Sequence, residues 1–499
     1  MKHILRFACL IAVFSGTLVT RNQAAETARP NVLLICVDDL KPLLGCYGDR
    51  TVKTPNLDRL ADGGMLFENA YCNQAVCAPS RNALMTGLRS TTLGIYDLGT
   101  NFRLAAPEAV TVAQHFKAHG YRTEALGKIM HTGHGNREDA ASWSVPHWRP
   151  SGGQYVNASN QAPAPPRKSS SAAAAAARGA PVESADVPDA AYADGMIADE
   201  AVKRLRAAAN KADVPFFLAV GFIKPHLPFC APKKYWDLYR REAFALPVIT
   251  TAPVGAPAYA ATNWGELRNY KGMPSKGALS DDLQRELIHG YHAAVSYMDA
   301  QLGRVLDELD RLGQEDNTIV LVWGDHGWHL GDHGQWCKHT NYEQAARIPI
   351  IVRAPGVSKP GTRSRALIET VDVYPTLVEL ARLPVPKTSH PLDGRSFAGT
   401  LRDPTTPTKE AVFHSYPRNR PPDGQIIGRA VRTERHRLIE WKKPGAAPES
   451  ADVELYDYVS DPLETKNLAS AQPEVVARLR QLLAAQPEAR PQLRPKARN

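Results

Sequence analysis

The chain has 499 residues, enough for one large domain or two unequal ones. With 43% hydrophobic and 22% charged residues it has an ordinary globular composition, which excludes a collagen-like or wholly disordered chain. Its formal charge of +9 suits an anionic substrate, and no basic stripe interleaved with aromatics argues for nucleic acid.

Residues 1–25 read as a secretory signal. Lys2 and Arg6 give the positive start, 7–19 is an apolar run, and Gln23-Ala24-Ala25 could end it. The run is short for a membrane-spanning helix. The expectation is an exported protein in a periplasmic, secreted or lysosome-like compartment, with no stable membrane association.

Asn31–Val37 is apolar on both faces, the pattern of a buried parallel strand, and runs into Asp38-Asp39. Residues 55–61 predict a helix stopped by Gly63-Gly64, and 110–119 another ended by Gly120. A strand over 121–126 leads to Lys128 and His131. Residues 150–190 change character, with Pro163-Ala164-Pro165-Pro166 and six alanines at 172–177; a mobile surface insertion is expected. A helix resumes over 194–209.

Phe216–Phe222 is a second buried strand, leading to Lys224-Pro225-His226. Residues 240–280 form a Pro- and Gly-punctuated connection. The helical period is clearest over 281–312, where Leu287, Tyr291, Val295, Met298, Leu302, Val305 and Leu309 recur at three- and four-residue steps. Strands follow over 318–323, leading to Asp325-His326, and over 348–352. Beyond residue 400, short strands over 411–415, 428–433 and 437–441 and a helix over 473–485 predict a smaller α+β unit. The basic tail 490–499 is expected to fray.

The apolar strands thus end in Asp38-Asp39, in Lys128 and His131, in Lys224 to His226, and in Asp325-His326. Ligands in open α/β sheets bind beyond the carboxyl ends of strands, so these clusters are expected at one edge. Asp38, Asp39 and Asp325 are hard oxygen ligands that suit Ca²⁺ or Mg²⁺ better than zinc. Arg81, Lys128 and Lys338 could neutralise an oxyanion, and His131 and His226 suit proton transfer. The cysteines show no zinc or disulfide-framework spacing, and the sequence leaves open whether Cys46 and Cys72 pair. Pro79 suits a first helical turn, which would seat Cys77 at a helix N-terminus that favours negative charge.

Cys77-Ala78-Pro79-Ser80-Arg81 followed by Leu84-Met85-Thr86-Gly87 resembles the signature of the type I, formylglycine-dependent sulfatases. Asp38-Asp39, Gly127-Lys128 before His131, Lys224-Pro225-His226 and Gly324-Asp325-His326-Gly327 follow the family's order. Glu454-Leu455-Tyr456-Asp457 with Asp461-Pro462, Glu464 and Asn467-Leu468 is similar to its C-terminal signature. The resemblance covers roughly 30–470. Within the family the chain looks most like the iduronate-2-sulfatase branch, through Leu40-Lys41-Pro42, Gln74-Ala75-Val76-Cys77, 217–229 and 326–338. The insertion at 150–190 departs from the family where the rim of the substrate pocket would form.

The resemblance implies an alkaline-phosphatase-like α/β fold: a large, mostly parallel sheet flanked by helices over 26–400 and a smaller C-terminal α+β subdomain over 401–499. It implies that a formylglycine-generating enzyme oxidises Cys77 to formylglycine. It implies one Ca²⁺ bound by Asp38, Asp39, Asp325 and His326, with the modified Cys77 completing the shell. Arg81 would hold the formylglycine, and Lys128 and His131 would contact its hydrate. His226 and Lys338 would face the sulfate and the leaving oxygen, with His226 as general acid. The implied substrate is a sulfated sugar, a uronate or related glycan. Arg418 could read its carboxylate, and a surface turn at Tyr416-Pro417-Arg418 is the equal alternative. The rival functions are a phosphomonoester or phosphonate hydrolase on the same fold, and a non-catalytic glycan-binding protein whose Cys77 is never oxidised.

Overall fold

The computed structural model describes residues 29–161, 178–211 and 213–494. The signal at 1–25 and the alanines at 172–177 lie outside the described residues. Asn31–Val37 lies inside a seven-stranded sheet, next to its middle strand, parallel to Thr318–Gly324 on one side and to Phe216–Phe222 on the other. Arg122–Gly127 extends the sheet, again parallel. On the far side Ile350–Arg353 runs antiparallel to both neighbours, Thr318–Gly324 and Met65–Phe67, and Thr362–Ser364 closes that edge. The sheet is therefore mixed, with its parallel part where the site lies.

Every residue of the three central strands is buried, as apolarity on both faces requires. Alternate residues feed two cores. Val32, Leu34 and Cys36 pack with Leu84, Met85, Val112, Phe116 and Val373. Leu33, Ile35 and Val37 pack with Ile197, Leu205, Leu287, Val295 and Leu302. Each such side chain contributes about 1.5–3 kcal/mol of burial free energy. The long helix is Asp281–Arg311, started by Ser280, whose side chain accepts from the Leu283 amide.

Val412–Arg420, Gly424–Arg432, His436–Lys442 and Asp452–Asp457 form a four-stranded antiparallel sheet. Pro473–Ala484 covers it through Leu479 and Leu483, which pack on Val431, Leu438 and Leu455. The sequence reading had no strand at Asp452–Asp457. Buried charge ties the C-terminal part to the main domain: Arg437 pairs with Glu343 at 2.5 Å, and Lys409 with Glu369 at 2.7 Å.

Two expectations are corrected, for the insertion and the tail, and one open question, the pairing of two cysteines, is answered. The described flanks of 150–190 are built into the fold: Val182–Ala185 pairs with Phe229–Pro232. The buried Glu183 accepts from the amides of Val156 and Asn157 and the hydroxyl of Tyr192. The tail is pinned through residue 493, because the Arg490 amide donates to Thr91 O and that of Leu493 to Gly94 O. Cys46 and Cys72 do not pair; all six cysteines of the described residues are free and buried. No helix of the described residues is long and apolar enough to cross a membrane.

Candidate active site

Four strand ends deliver the site. Asp38-Asp39, Lys128, Lys224 to His226, and Asp325-His326 follow directly on adjacent strands, so sheet register alone brings them together. Gly127 lets two ends approach: its φ is +71°, and a Cβ there would lie 2.2 Å from Gly221 O. Asp39, Cys337 and His339 also have positive φ, at 61°, 69° and 49°. Such backbone persists in non-glycine residues only where the surroundings over-determine it.

Cys77 opens the helix Cys77–Thr86, after the extended Val76. Its Sγ lies 3.4 Å from His326 Nε2, 3.6 Å from Lys338 Nζ and 3.7 Å from Lys128 Nζ. Burial, and then Asp38, push the thiol well above its ordinary pKa despite the two lysines. An unmodified Cys77 is thus a neutral thiol and a poor nucleophile.

Arg81 is fully buried one turn on. Its Nε donates to Asp325 Oδ2 at 3.0 Å and its NH2 to Asp38 Oδ1 at 3.2 Å. Its NH1 donates to the carbonyls of Lys128 and Ile129. Lys128 Nζ is bound to Asp38 Oδ2. Lys338 Nζ donates to Asp39 Oδ1 at 2.8 Å.

These residues fit a hard divalent cation. Ligand atoms of Asp38, Cys77, Asp325 and His326 all lie within 4.8 Å of one another, as do those of Asp38, Asp39, Cys77 and His226. Asp39 Oδ2 is buried with no hydrogen-bond partner. Burial raises the carboxyls of Asp39 and Asp325 above the ordinary range, Asp38 adding to both. Lys128, His226 and Arg81 outweigh burial at Asp38 and lower it. A cation among the three would hold all of them ionised.

The site opens into a cavity of about 650 Å³ lined by Cys77, Lys128, His131, His226 and Lys338 among others. Its one lining carboxylate among the described residues is Glu266, on the short helix Gly265–Arg268. Glu266 Oε1 lies 3.3 Å from His226 Nε2, and Oε2 lies 3.3 Å from Lys338 Nζ. Sequence reasoning missed it, since it lies inside the connection 240–280 with no periodic pattern around it. His226 is shifted down to about 3 by burial and then Lys128, and His131 likewise. His131 Nε2 faces His134 Nδ1 at 3.3 Å.

Arg418 is the one expected site residue that neither lines the cavity nor contacts Asp38, Asp39 or Asp325. Its guanidinium donates to the carbonyls of Tyr259, Ala260 and His339 and stacks on Tyr416. Four backbone acceptors, counting Pro417 O, and an aromatic face hold it in the seam between the connection and the C-terminal sheet.

A sulfatase family model matches residues 30–383, and one for the C-terminal part of N-sulphoglucosamine sulphohydrolase matches 331–489. Iduronate 2-sulfatase of Homo sapiens is 35% identical over 527 residues, covering 92% of this chain and 94% of that protein. The Mus musculus protein is 34% identical, covering 93% and 95%. A solved protein in complex with its substrate D-glucosamine-2-N,6-O-disulfate superposes with a TM-score of 0.71 at 24% identity, covering 92% of this chain and 97% of that one. The phosphonate monoester hydrolase of Silicibacter pomeroyi gives 0.71 at 22%, covering 91% and 95%; these two carry the fold alone. The chain belongs to the sulfatase family and is a sulfuric ester hydrolase.

Proposed function

We propose that the protein is exported and removes sulfate from a sugar, a sulfated uronate or related glycan, using formylglycine derived from Cys77 and one Ca²⁺. The observation that carries this reading is the surround of Cys77 Sγ: His326, Lys338 and Lys128 within 3.4–3.7 Å, at a helix N-terminus, with three buried carboxylates beside it. The sugar class rests on the likeness to iduronate 2-sulfatases, and export on Lys2, Arg6 and the run at 7–19.

Formylglycine would supply, as its hydrate, two hydroxyls on one carbon, one to attack sulfur and one to expel sulfate afterwards. Ca²⁺ held by Asp38, Asp39, Asp325 and His326 would supply Lewis-acid polarisation of a sulfuryl oxygen. The chain's own groups do the rest. Lys128 and Lys338 offset charge gathering on the sulfuryl oxygens. The helix N-terminus at position 77 favours negative charge there. Arg81 ties Asp38 and Asp325 to the backbone after Lys128 and keeps the wall rigid. His226 would give a proton to the departing sugar oxygen once a bound anionic substrate offsets the Lys128 charge that lowers it, and His131 would take one from the second hydroxyl. His131 Nδ1 is buried without a hydrogen-bond partner, so that edge of the ring is free for this work.

The test is the mass of the peptide carrying position 77, isolated from the native host. An aldehyde there supports the reading, and a quantitative thiol contradicts it.

A further inference from the structure

The cavity holds more positive charge than one sulfate ester needs. Lys128 and Lys338 flank Cys77 and serve the sulfate. Two further guanidinium groups line the same cavity, Arg149 and Arg178, one from each described flank of the insertion. They differ in what already binds them. Arg149 NH2 is bound to Glu138, a carboxylate shared with His147. Arg178 has one long hydrogen bond, NH1 to Tyr270 Oη at 3.4 Å, and its nearest carboxylate oxygen, Glu266 Oε1, is 4.0 Å away. That carboxylate is already shared by His226 and Lys338. Most of the five donors of Arg178 therefore have no partner among the described residues.

Arg178 is also held still at its base. Its amide donates to Asn269 O at 3.1 Å, and the Lys271 amide donates to Gly179 O at 3.0 Å, so the backbone is stitched on both sides of Tyr270. The guanidinium carbon stacks over the Tyr270 ring, 5.2 Å from its centroid. Tyr270 is itself buried. A fixed guanidinium with open donors is matched to a planar carboxylate, which it binds through two parallel hydrogen bonds. Glu266 relates the two anion sites: Lys338 is on one of its oxygens and Arg178 beyond the other. Both cations therefore lie within 4.0 Å of the same carboxylate, close enough to meet two groups of one bound molecule.

We propose that Arg178 is the specificity-determining residue that binds a second anionic group, a carboxylate, on the same sugar that carries the sulfate ester. This rests on the reading of the cavity as a sugar sulfatase site. It gives Arg178 the role that the sequence suggested for Arg418.

The test uses two sulfated saccharides that differ only in the carboxylate, present in one and reduced to a hydroxymethyl group in the other. Purified full-length enzyme, wild type and Arg178→Gln, is assayed for sulfate release from both. The wild type should prefer the carboxylate by about ten- to a hundredfold in kcat/KM, chiefly through KM, as for a charge-assisted pair. Arg178→Gln should bring that ratio close to one, and Arg178→Lys, with charge but no fork, should lie between. A wild type that acts on both without preference overturns the assignment before any variant is made. A preference that survives in Arg178→Gln also overturns it. Release from neither saccharide would overturn the sugar-sulfatase reading and this assignment with it.

Discussion

Lys338 is held between two carboxylates: its Nζ donates to Asp39 Oδ1 at 2.8 Å and lies 3.3 Å from Glu266 Oε2. The first belongs to the cation cluster and the second to the cavity wall, so Glu266 fixes where the ammonium points. Glu266 also faces His226 Nε2 at 3.3 Å, which sets the other group on the leaving side. Glu266→Gln keeps the shape and removes the charge. It should lower kcat/KM by about ten- to a hundredfold, the size of effect expected when catalytic groups are misplaced by a fraction of an ångström. Steady-state kinetics checked against the thermal midpoint separates this from unfolding. Unchanged kinetics would show that Asp39 alone positions Lys338.

Arg81 has a structural task that is separable from turnover. It is fully buried and pairs with Asp38 and Asp325, both fully buried as well. Arg81→Ala leaves two carboxylates without their guanidinium in a site that water does not reach. The expected loss is about 3–5 kcal/mol, as for one partner removed from a buried pair. Denaturant unfolding without added divalent cation measures it. A loss below about 1 kcal/mol, the scale of exposed pairs, would contradict the account.

The seam between the main sheet and the C-terminal sheet should be acid-sensitive. Burial acts to raise the Glu343 carboxyl, but Arg432, Arg437 and Arg347 outweigh it and hold it at about 2. A folded pKa below the unfolded value of about 4.3 means stability that is fully present above that value. It is lost as pH falls from there toward about 2. The thermal midpoint of the wild type should drop across this window, and Glu343→Gln should show a shallower drop. Equal slopes would remove Glu343 from the explanation.

The strands that carry the site were legible because nothing but burial on both faces explains Asn31–Val37, Phe216–Phe222 and Thr318–Gly324. Once those are strands, the polar residues after them must share an edge. The direction of Ile350–Arg353 was not legible, since an apolar run has no sense of direction and only pairing shows it antiparallel. Glu266 was hidden for a different reason. Its neighbours Trp264, Arg268 and Tyr270 acquire order through irregular contacts that no periodic pattern announces. Arg268, for example, stacks on Trp264 and caps the carbonyls of Pro274 and Gly277. Arg418 shows the converse limit. The strand before it was legible but not its length: Arg418 lies inside Val412–Arg420, opposite Ile426, not in a turn after it, and its guanidinium turns to the carbonyls of Tyr259, Ala260 and His339. In the insertion, composition drew attention to the Pro and Ala runs. The flanks that pack, Glu183 and Arg178, are single polar residues with tertiary partners.

Everything in the account turns on position 77 as the group that meets sulfur. The most direct measurement compares wild type and Cys77→Ala, both from a host able to oxidise the cysteine, on a sulfate ester and the matching phosphate ester of one sugar. The account predicts sulfate release by the wild type with a clear preference over phosphate. It predicts a loss of at least about a thousandfold in Cys77→Ala, the order seen when a covalent nucleophile is removed. A preference for phosphate, or turnover retained by Cys77→Ala, would contradict it.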